Sequence, residues 1–435
     1  MNETSSNLVS ARGVSRRSLL AGAAAAAALP TVVPASALGK DGATAASDRI
    51  GLGFIGVGGR GSGHVGSLLN ARDVQVLAVC DPYKSKIAKN KARVDRRYKG
   101  CGAYQDFRQL LARDDVDAVF IASPENWHAL HAIHAVRAGK DVYCEKALSL
   151  TVAEGRALCK AVRRYGRVFQ IGTQQRSDAR FRMACELARN GYLGKLHTIK
   201  VGVPGGRKLP VAVPKDPPPD IDYNIWLGPA PWTPYNDLKC SFNWYFMSDY
   251  CAGWIQSWGV HHVDIALWGQ PQLRKGRVTV EGTAVFPDEG MADTSITWQT
   301  KITASDGVVL SFCSNRVPGH SQGVRFIGDK GWVHVRRGGI QAEPASLLRT
   351  TLKASDERLY VSRSHHGNFL ECIRTRRDTA APVEAGHRAT TATLVADIAT
   401  RLRRKLTFDW KAEKFIKDEA ADKMLSRSMR APWRL

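Results

Sequence analysis

Between residues 50 and 171 the chain alternates short, almost unbroken apolar runs with longer amphipathic stretches. The runs at 50–55, 74–79, 118–122, 142–144 and 168–171 have the length and continuity of strands buried on both faces, as in a parallel sheet. Helix ends are written into the stretches between them. Ser123-Pro124 opens one with proline in its first turn, and Gly139 closes it. Thr151-Val152-Ala153-Glu154 is a capping box that opens the next. The alternation predicts a doubly wound α/β sheet, a Rossmann domain, over 49–172.

Past a helix expected over 178–190 and closed by Gly191, the period of the pattern changes. Residues 196–203 alternate as a strand does, and a proline-rich loop follows over 204–234. The segments 278–286, 294–303, 308–315, 323–328 and 332–336 then read as antiparallel strands, with turn signals at Asp306-Gly307 and Asp329-Lys330-Gly331. This predicts an α+β domain with an open, mostly antiparallel sheet over 173–362. The remainder, 363–435, is expected to be a helical segment that packs back on the core.

Composition adds location more than fold. A chain of 435 residues with 44% hydrophobic residues suits two or three domains. Its one long apolar run, 19–29, follows Ser15-Arg16-Arg17-Ser18 and precedes Ala35-Ser36-Ala37. That is the layout of a cleaved twin-arginine (Tat) export signal over 1–37, and at roughly a dozen residues the run is too short for a bilayer span. It predicts a protein exported already folded, periplasmic or extracytoplasmic, with no mature membrane span. The nine cysteines are scattered without metal-type spacing and are expected to be free, buried thiols. The net charge of +23 is spread along the chain with no nucleic-acid motif beside it. Solvated helix faces account for it, with a preference for an anionic partner or cofactor left open and no nucleic acid expected.

The chemistry begins at Gly56-x-Gly58-x-x-Gly61, including Gly59 and Arg60, placed between a strand and a helix. The first glycine permits a tight turn, the second lets a pyrophosphate approach the backbone, and the third lets the helix pack close. The next strand ends at Cys80-Asp81, at the distance where an acid accepts from a ribose 2′-hydroxyl and repels a 2′-phosphate. NAD is therefore expected over NADP. Because an exported enzyme meets little free nucleotide, the NAD is expected to be tightly bound and recycled in the site.

Three further segments follow in order: Ala122-Ser123-Pro124-Glu125-Asn126-Trp127-His128, Glu145-Lys146-Ala147, and Trp258-Gly259-Val260-His261-His262-Val263-Asp264. With the glycine fingerprint they resemble the glucose–fructose oxidoreductase / inositol dehydrogenase (Gfo/Idh/MocA) family over residues 49–433. The resemblance implies oxidation or reduction of a carbinol of a sugar or cyclitol lying on the second domain's sheet. It implies that Lys146 meets the nicotinamide ribose and the reacting hydroxyl, and that His261 is its general acid/base. It further implies that Ser123, Pro124, Asn126 and His128 line the nicotinamide side with Glu145. The chemistry agrees, since hydride loss requires removal of the hydroxyl proton and a cation stabilises the developing alkoxide. Gln174 and Arg176 follow a sheet strand and are placed to donate to substrate hydroxyls; Ser257, His262 and Asp264 complete the expected substrate set.

Two residues depart from the family pattern. Ala147 replaces the motif's proline, so a turn that is often cis is expected to be lost or changed. Ser257 replaces an acid, so its support of the histidine passes to Asp264, to water or to nothing. His261-His262 with Asp264 also suggests a metal, but adjacent residues on a strand point opposite ways and no third ligand motif follows; no metal is expected. Between Trp226 and Trp268 lie six of the eleven tryptophans, which suits sugar stacking as well as a core or subunit interface. The reading is an exported NAD-dependent sugar oxidoreductase, a homo-oligomer through its open sheet. The alternatives are a glycosidase working by transient oxidation and elimination, and a non-catalytic sugar-binding relative.

Overall fold

In a computed structural model the described residues are 44–45 and 48–435; the expected export signal at 1–37 lies outside them. The first half builds β1 (Ile50–Ile55), α1 (Gly59–Leu68), β2 (Val74–Cys80), α2 (Lys84–Asp95), β3 (Gly102–Tyr104), α3 (Phe107–Leu111), β4 (Ala118–Ile121), α4 (Glu125–Arg137), β5 (Asp141–Cys144), α5 (Val152–Tyr165) and β6 (Phe169–Ile171). The six strands are parallel in the order β3-β2-β1-β4-β5-β6, so the winding reverses between β1 and β4. A crevice opens at the carboxyl ends of the strands at such a reversal. Every residue of β1, β4 and β5 is buried, which is why these strands read as unbroken apolar runs. The capping box is formed in part: the Thr151 hydroxyl accepts from the Glu154 N–H, while the Glu154 carboxylate accepts from the Leu150 N–H at 2.9 Å.

The second half builds α6 (Ala179–Arg189), β7 (Leu196–Val203), α7 (Tyr223–Leu227), α8 (Trp254–Ser257), α9 (Gly259–Gly269), β8 (Arg277–Val285), β9 (Thr297–Thr303), β10 (Val309–Ser314), β11 (Gly323–Gly328), β12 (Gly331–Arg336) and β13 (Gly339–Glu343). The chain ends with α10 (His365–Thr375), α11 (Val383–Leu402), β14 (Leu406–Asp409), β15 (Lys414–Phe415) and α12 (Glu419–Lys423). The nine-stranded sheet has the order β13-β12-β11-β7-β10-β9-β8-β14-β15. Only β7 and β10 run parallel; the other pairs are antiparallel. One face is covered by α6, α9 and α11 through a core that includes Val260, Val263, Val395, Trp298 and Phe312. The outward positions are polar, with Glu281 opposite Lys301.

Three expectations change. The segment carrying His261 and His262 is the helix α9, not a strand. The tail is more than helical: β14 pairs with β8, and a four-residue alternation such as 406–409 is too short to read beforehand. The tail also divides its contacts. Phe369, Leu370 and Cys372 of α10 join the core around β1, whereas α11 packs between α5 and β8 and ties the parallel sheet to the second one. Residues 50–435 accordingly form one unit. All nine cysteines are free, and all but Cys240 are buried. Among the described residues no helix is long and apolar enough to cross a membrane.

Candidate active site

A cleft of about 1060 Å³ opens at the carboxyl edge of the parallel sheet and is closed from the other side by α9, the 240–245 segment and the β12–β13 turn. One end is shaped by the glycine loop. Gly56 adopts φ +80° and donates its N–H to the Cys80 carbonyl at 2.8 Å; a Cβ there would sit 2.7 Å from the Ser123 nitrogen. A Cβ on Gly61 would lie 1.8 Å from the Gly56 oxygen, so only glycine lets α1 pack onto the turn. At Gly59 a Cβ would meet nothing within 4 Å, which leaves the start of α1 open to the cleft. Such a bare loop fits the phosphates of a dinucleotide.

Asp81, at the end of β2, lines the same end. Its carboxylate accepts from the Val57 and Tyr83 N–H groups at 2.9 and 3.0 Å. Burial pushes its pKa up despite Lys86, whose ammonium lies 3.9 Å away and 3.6 Å from the Tyr83 ring centre. Beside the helix that leaves the glycine loop, Glu145 gathers three donors: Arg60 Nε at 2.7 Å, His64 Nε2 at 2.9 Å and Gln174 Nε2 at 3.4 Å. Burial opposes ionisation, but the His64 hydrogen bond and the Arg60 charge outweigh it and hold this carboxyl well below the usual range. His64 reaches on to His366 at 3.0 Å, away from the cleft.

At the other end stand Lys146 and His261. The Lys146–Ala147 peptide is cis, so the turn keeps the cis form although proline is absent. Lys146 Nζ donates to Ser257 Oγ at 2.7 Å and lies 5.4 Å from the Tyr245 ring centre. Ser257 is therefore the partner of the lysine rather than of the histidine. The His261 ring is buried 5.7 Å from the Trp258 ring, and its Nδ1 has no hydrogen-bond partner. Burial, then the charges of Lys146 and Arg337, push its pKa well below the ordinary histidine value.

Of the residues singled out beforehand, Gly56, Gly58, Gly59, Arg60, Asp81, Ser123, Pro124, His128, Glu145, Lys146, Gln174 and His261 line the cleft. Gly61 and Ser257 stand directly behind its wall. Four others are turned elsewhere, because each has an internal partner. Asp264 and Arg176 form a buried two-pronged pair at 2.6 and 2.7 Å, so Asp264 takes no part in orienting His261. His262 faces Gln175 at 3.2 Å, and burial lowers its pKa to about 3. The Asn126 amide is spent on the Leu227 carbonyl at 3.2 Å. Both ring nitrogens of His128 face carbonyl oxygens, of Ala147 at 2.6 Å and Ser123 at 2.8 Å, so this side chain staples two cleft loops together.

The aromatic stretch divides between its two readings. Tyr235, Phe246 and Tyr250 form a small core, Trp226 belongs to both, and Phe242, Trp244, Tyr245 and Trp258 face the cleft. Trp244 and Tyr245 stack at 3.7 Å. Sequence reasoning missed Lys86, His64 and Arg337. Lys86 stands five residues beyond Asp81 on the adjoining helix and could have been found from that spacing; Arg337 sits in a hairpin turn far along the chain and gave no signal. Among the described residues no cluster of histidine, cysteine and acidic side chains could hold a metal ion.

A doubly wound domain with its glycine loop at the switch point, facing an open mixed sheet, defines a dinucleotide-binding oxidoreductase. Residues 50–173 match the model of the oxidoreductase family's NAD-binding Rossmann fold, and residues 205–435 match that of its C-terminal alpha/beta domain. The chain belongs to the Gfo/Idh/MocA oxidoreductase family. It is 31% identical to the uncharacterized oxidoreductase YrbE of Bacillus subtilis over 333 residues, 74% of this chain and 82% of YrbE. A shorter stretch of 112 residues, 25% of this chain and 24% of the relative, is 37% identical to a glycosyl hydrolase family 109 protein of Shewanella sp. (strain W3-18-1). Among solved structures, the WlbA dehydrogenase of Bordetella pertussis in complex with NADH and UDP-GlcNAcA aligns with a TM-score of 0.62 at 16% identity, covering 82% of this chain and 98% of that one. That likeness speaks to the fold.

Proposed function

We propose that this protein is an exported NAD-dependent oxidoreductase that acts on a carbinol of a sugar or sugar derivative. The observation that carries the reading is that Lys146 and His261 face one cleft with the glycine loop and Asp81. Bound NAD supplies the hydride acceptor, so a secondary alcohol becomes a ketone and loses its hydroxyl proton. The residues divide that work. His261, kept neutral by its surroundings, takes the proton. Lys146, steadied by Ser257, stabilises the alkoxide as charge develops. Trp244, Tyr245 and Trp258 offer apolar faces to the C–H surface of the sugar. Asp81 favours NAD over NADP through the ribose 2′-hydroxyl, and the twin-arginine pattern at Arg16-Arg17 supports export.

The test is to purify the protein, release and identify its nucleotide, and offer free sugars and glycosides. Stoichiometric NADH formation from a free sugar is the expected result. NADP as the bound nucleotide, or no nucleotide at all, overturns the cofactor assignment. A second reading, glycoside cleavage by transient oxidation and elimination with no net redox change, draws on the local 37% identity to a glycosyl hydrolase family 109 protein. Aglycone release without net NADH selects it.

A further inference from the structure

The charges of the cleft pair off at one end and not at the other. Arg60 is matched by Glu145 at 2.7 Å and Lys86 by Asp81 at 3.9 Å, while Asp178, elsewhere in the lining, pairs with Arg180 at 2.7 Å. Among the described residues, Lys146 and Arg337 reach no carboxylate within salt-bridge distance. Among the described residues Lys146 has the neutral Ser257 hydroxyl and the Tyr245 ring, and the Arg337 side chain makes no hydrogen bond or ion pair. Arg337 lies in the turn between β12 and β13, beside Gly338 with φ +82°, and its guanidinium is 4.7 Å from the Trp258 ring centre. Trp258 in turn lies 5.7 Å from His261. The unmatched arginine is thus placed beside the proposed reacting group, and it comes from the second domain, not from the glycine loop.

A guanidinium in a concave wall with no counter-ion from the protein presents five donors in a fixed fork to whatever enters the cleft. It is exposed within the cleft and therefore accessible, yet the walls desolvate it enough to lower its pKa. The Trp258 ring lies within cation–π distance of the guanidinium and helps hold it at the cleft wall, where a planar fork can meet an oxyanion two-handed. The chain's net charge of +23 adds a long-range pull on anions in the same direction.

We propose that the substrate is an anionic sugar, bearing a carboxylate or phosphate, and that Arg337 is the receptor for that group. This rests on the sugar oxidoreductase reading above and adds the charge of the substrate to it. The oxyanion binds the Arg337 fork while the ring lies against Trp258 and the carbinol faces Lys146 and His261. No bond forms or breaks at Arg337; its role is specificity.

The experiment compares glucose, glucuronate and glucose 6-phosphate on the nucleotide-loaded protein, both as substrates and as ligands by calorimetry, with Arg337→Ala and Arg337→Lys beside the parent. The expected result is that one of the two anions exceeds glucose by about tenfold or more in kcat/KM or in affinity. Arg337→Ala removes that preference by lowering the anion's value far more than the glucose value, with the nucleotide retained, and Arg337→Lys keeps part of it. Equal handling of the three ligands, an equal loss for all in Arg337→Ala, or loss of nucleotide from that variant overturns the proposal. The calorimetric arm separates the two claims. Anion preference in binding without any NADH formation supports the Arg337 receptor while sinking the oxidoreductase reading; NADH formation without anion preference does the reverse.

Discussion

The two ends of the cleft are built on opposite principles. At the dinucleotide end every acidic group is engaged: Asp81 by two backbone N–H groups and Lys86, Glu145 by Arg60, His64 and Gln174. At the reaction end a lysine leans on a neutral hydroxyl and an arginine has no carboxylate partner among the described residues. A satisfied network rigidifies and costs nothing when its ligand arrives, whereas unsatisfied groups gain most from a ligand that completes them. The first end is finished by folding; the second is finished by its substrate. Strain and incomplete hydrogen bonding of this kind gather where function outweighs stability.

The comparison breaks first if the unsatisfied end proves inert. Lys146→Ala and His261→Ala are each expected to lower kcat/KM by about 10²–10⁴, the usual scale for removing a positioned acid/base or electrostatic group. Both should keep the bound nucleotide and a parent-like Tm, because neither side chain belongs to the satisfied network. Steady-state kinetics with nucleotide quantification checks this, and intact activity in both variants refutes the site.

Next in size is a change at the satisfied end. Glu145→Gln removes the charge that His64 and Arg60 both address, and losing a hydrogen bond to a charged group costs about 1.5–3 kcal/mol. Arg60 is half exposed and can turn to water, so most of that penalty falls through buried His64. Thermal denaturation should show a clear drop in Tm together with a weaker hold on the nucleotide. A variant as stable as the parent would mean that the network is not what organises this end.

The asymmetry also explains what was legible in the sequence. The dinucleotide end could be read almost residue by residue, because its parts lie at fixed offsets from strands buried on both faces. Gly56, Gly58 and Gly61 follow β1, and Asp81 closes β2. Lys146 could be placed because it follows β5 directly. The reaction end is assembled across domains from α9 and the β12–β13 turn, and no local pattern encodes which side chains meet there. Asp264 and His262 were expected in the site because they share a motif with His261, and the near-unbroken apolar run around them gave no period by which to tell which of them face the cleft. On the helix, Asp264 turns to Arg176, and Ser257 turns to Lys146. Sheet segments such as β11 were legible to the residue, whereas the three residues of β3 and the two of β15 fall below the length at which periodicity carries information.

Smaller than either is the effect of Ser257. Ser257→Ala removes the hydrogen bond that holds Lys146 among the described residues, worth about 1 kcal/mol, hence about a fivefold fall in kcat. Ser257→Asp supplies a charged acceptor at the same place and is expected to hold Lys146 more firmly while weakening binding of an anionic sugar. Opposite movements of kcat and KM between the two variants, measured on one substrate, distinguish positioning of the lysine from a purely structural role.

The smallest effect lies in the pH profile. A histidine of ordinary pKa near 6.5 would be mostly protonated at pH 6, and an oxidation that needs it as base would fall about fourfold between pH 8 and pH 6. His261 is pushed well below that value, first by burial and then by the Lys146 and Arg337 charges, so it stays neutral through this window. Its share of kcat/KM, which reports the free enzyme, should change by less than about twofold from pH 8 to pH 6. The sign for stability is the reverse of a paired histidine. The unfolded chain takes up the proton below about 6.5 while the native ring does not, so this group costs stability as pH falls through that value. A bound anion on Arg337 cancels part of the positive field at His261 and raises its proton affinity in the complex. The acid limb of kcat should therefore sit at higher pH than that of kcat/KM for an anionic sugar, and the two should coincide for a neutral one or in Arg337→Ala. A profile in which the limbs coincide for every substrate would show that the reaction end is not completed by its ligand's charge.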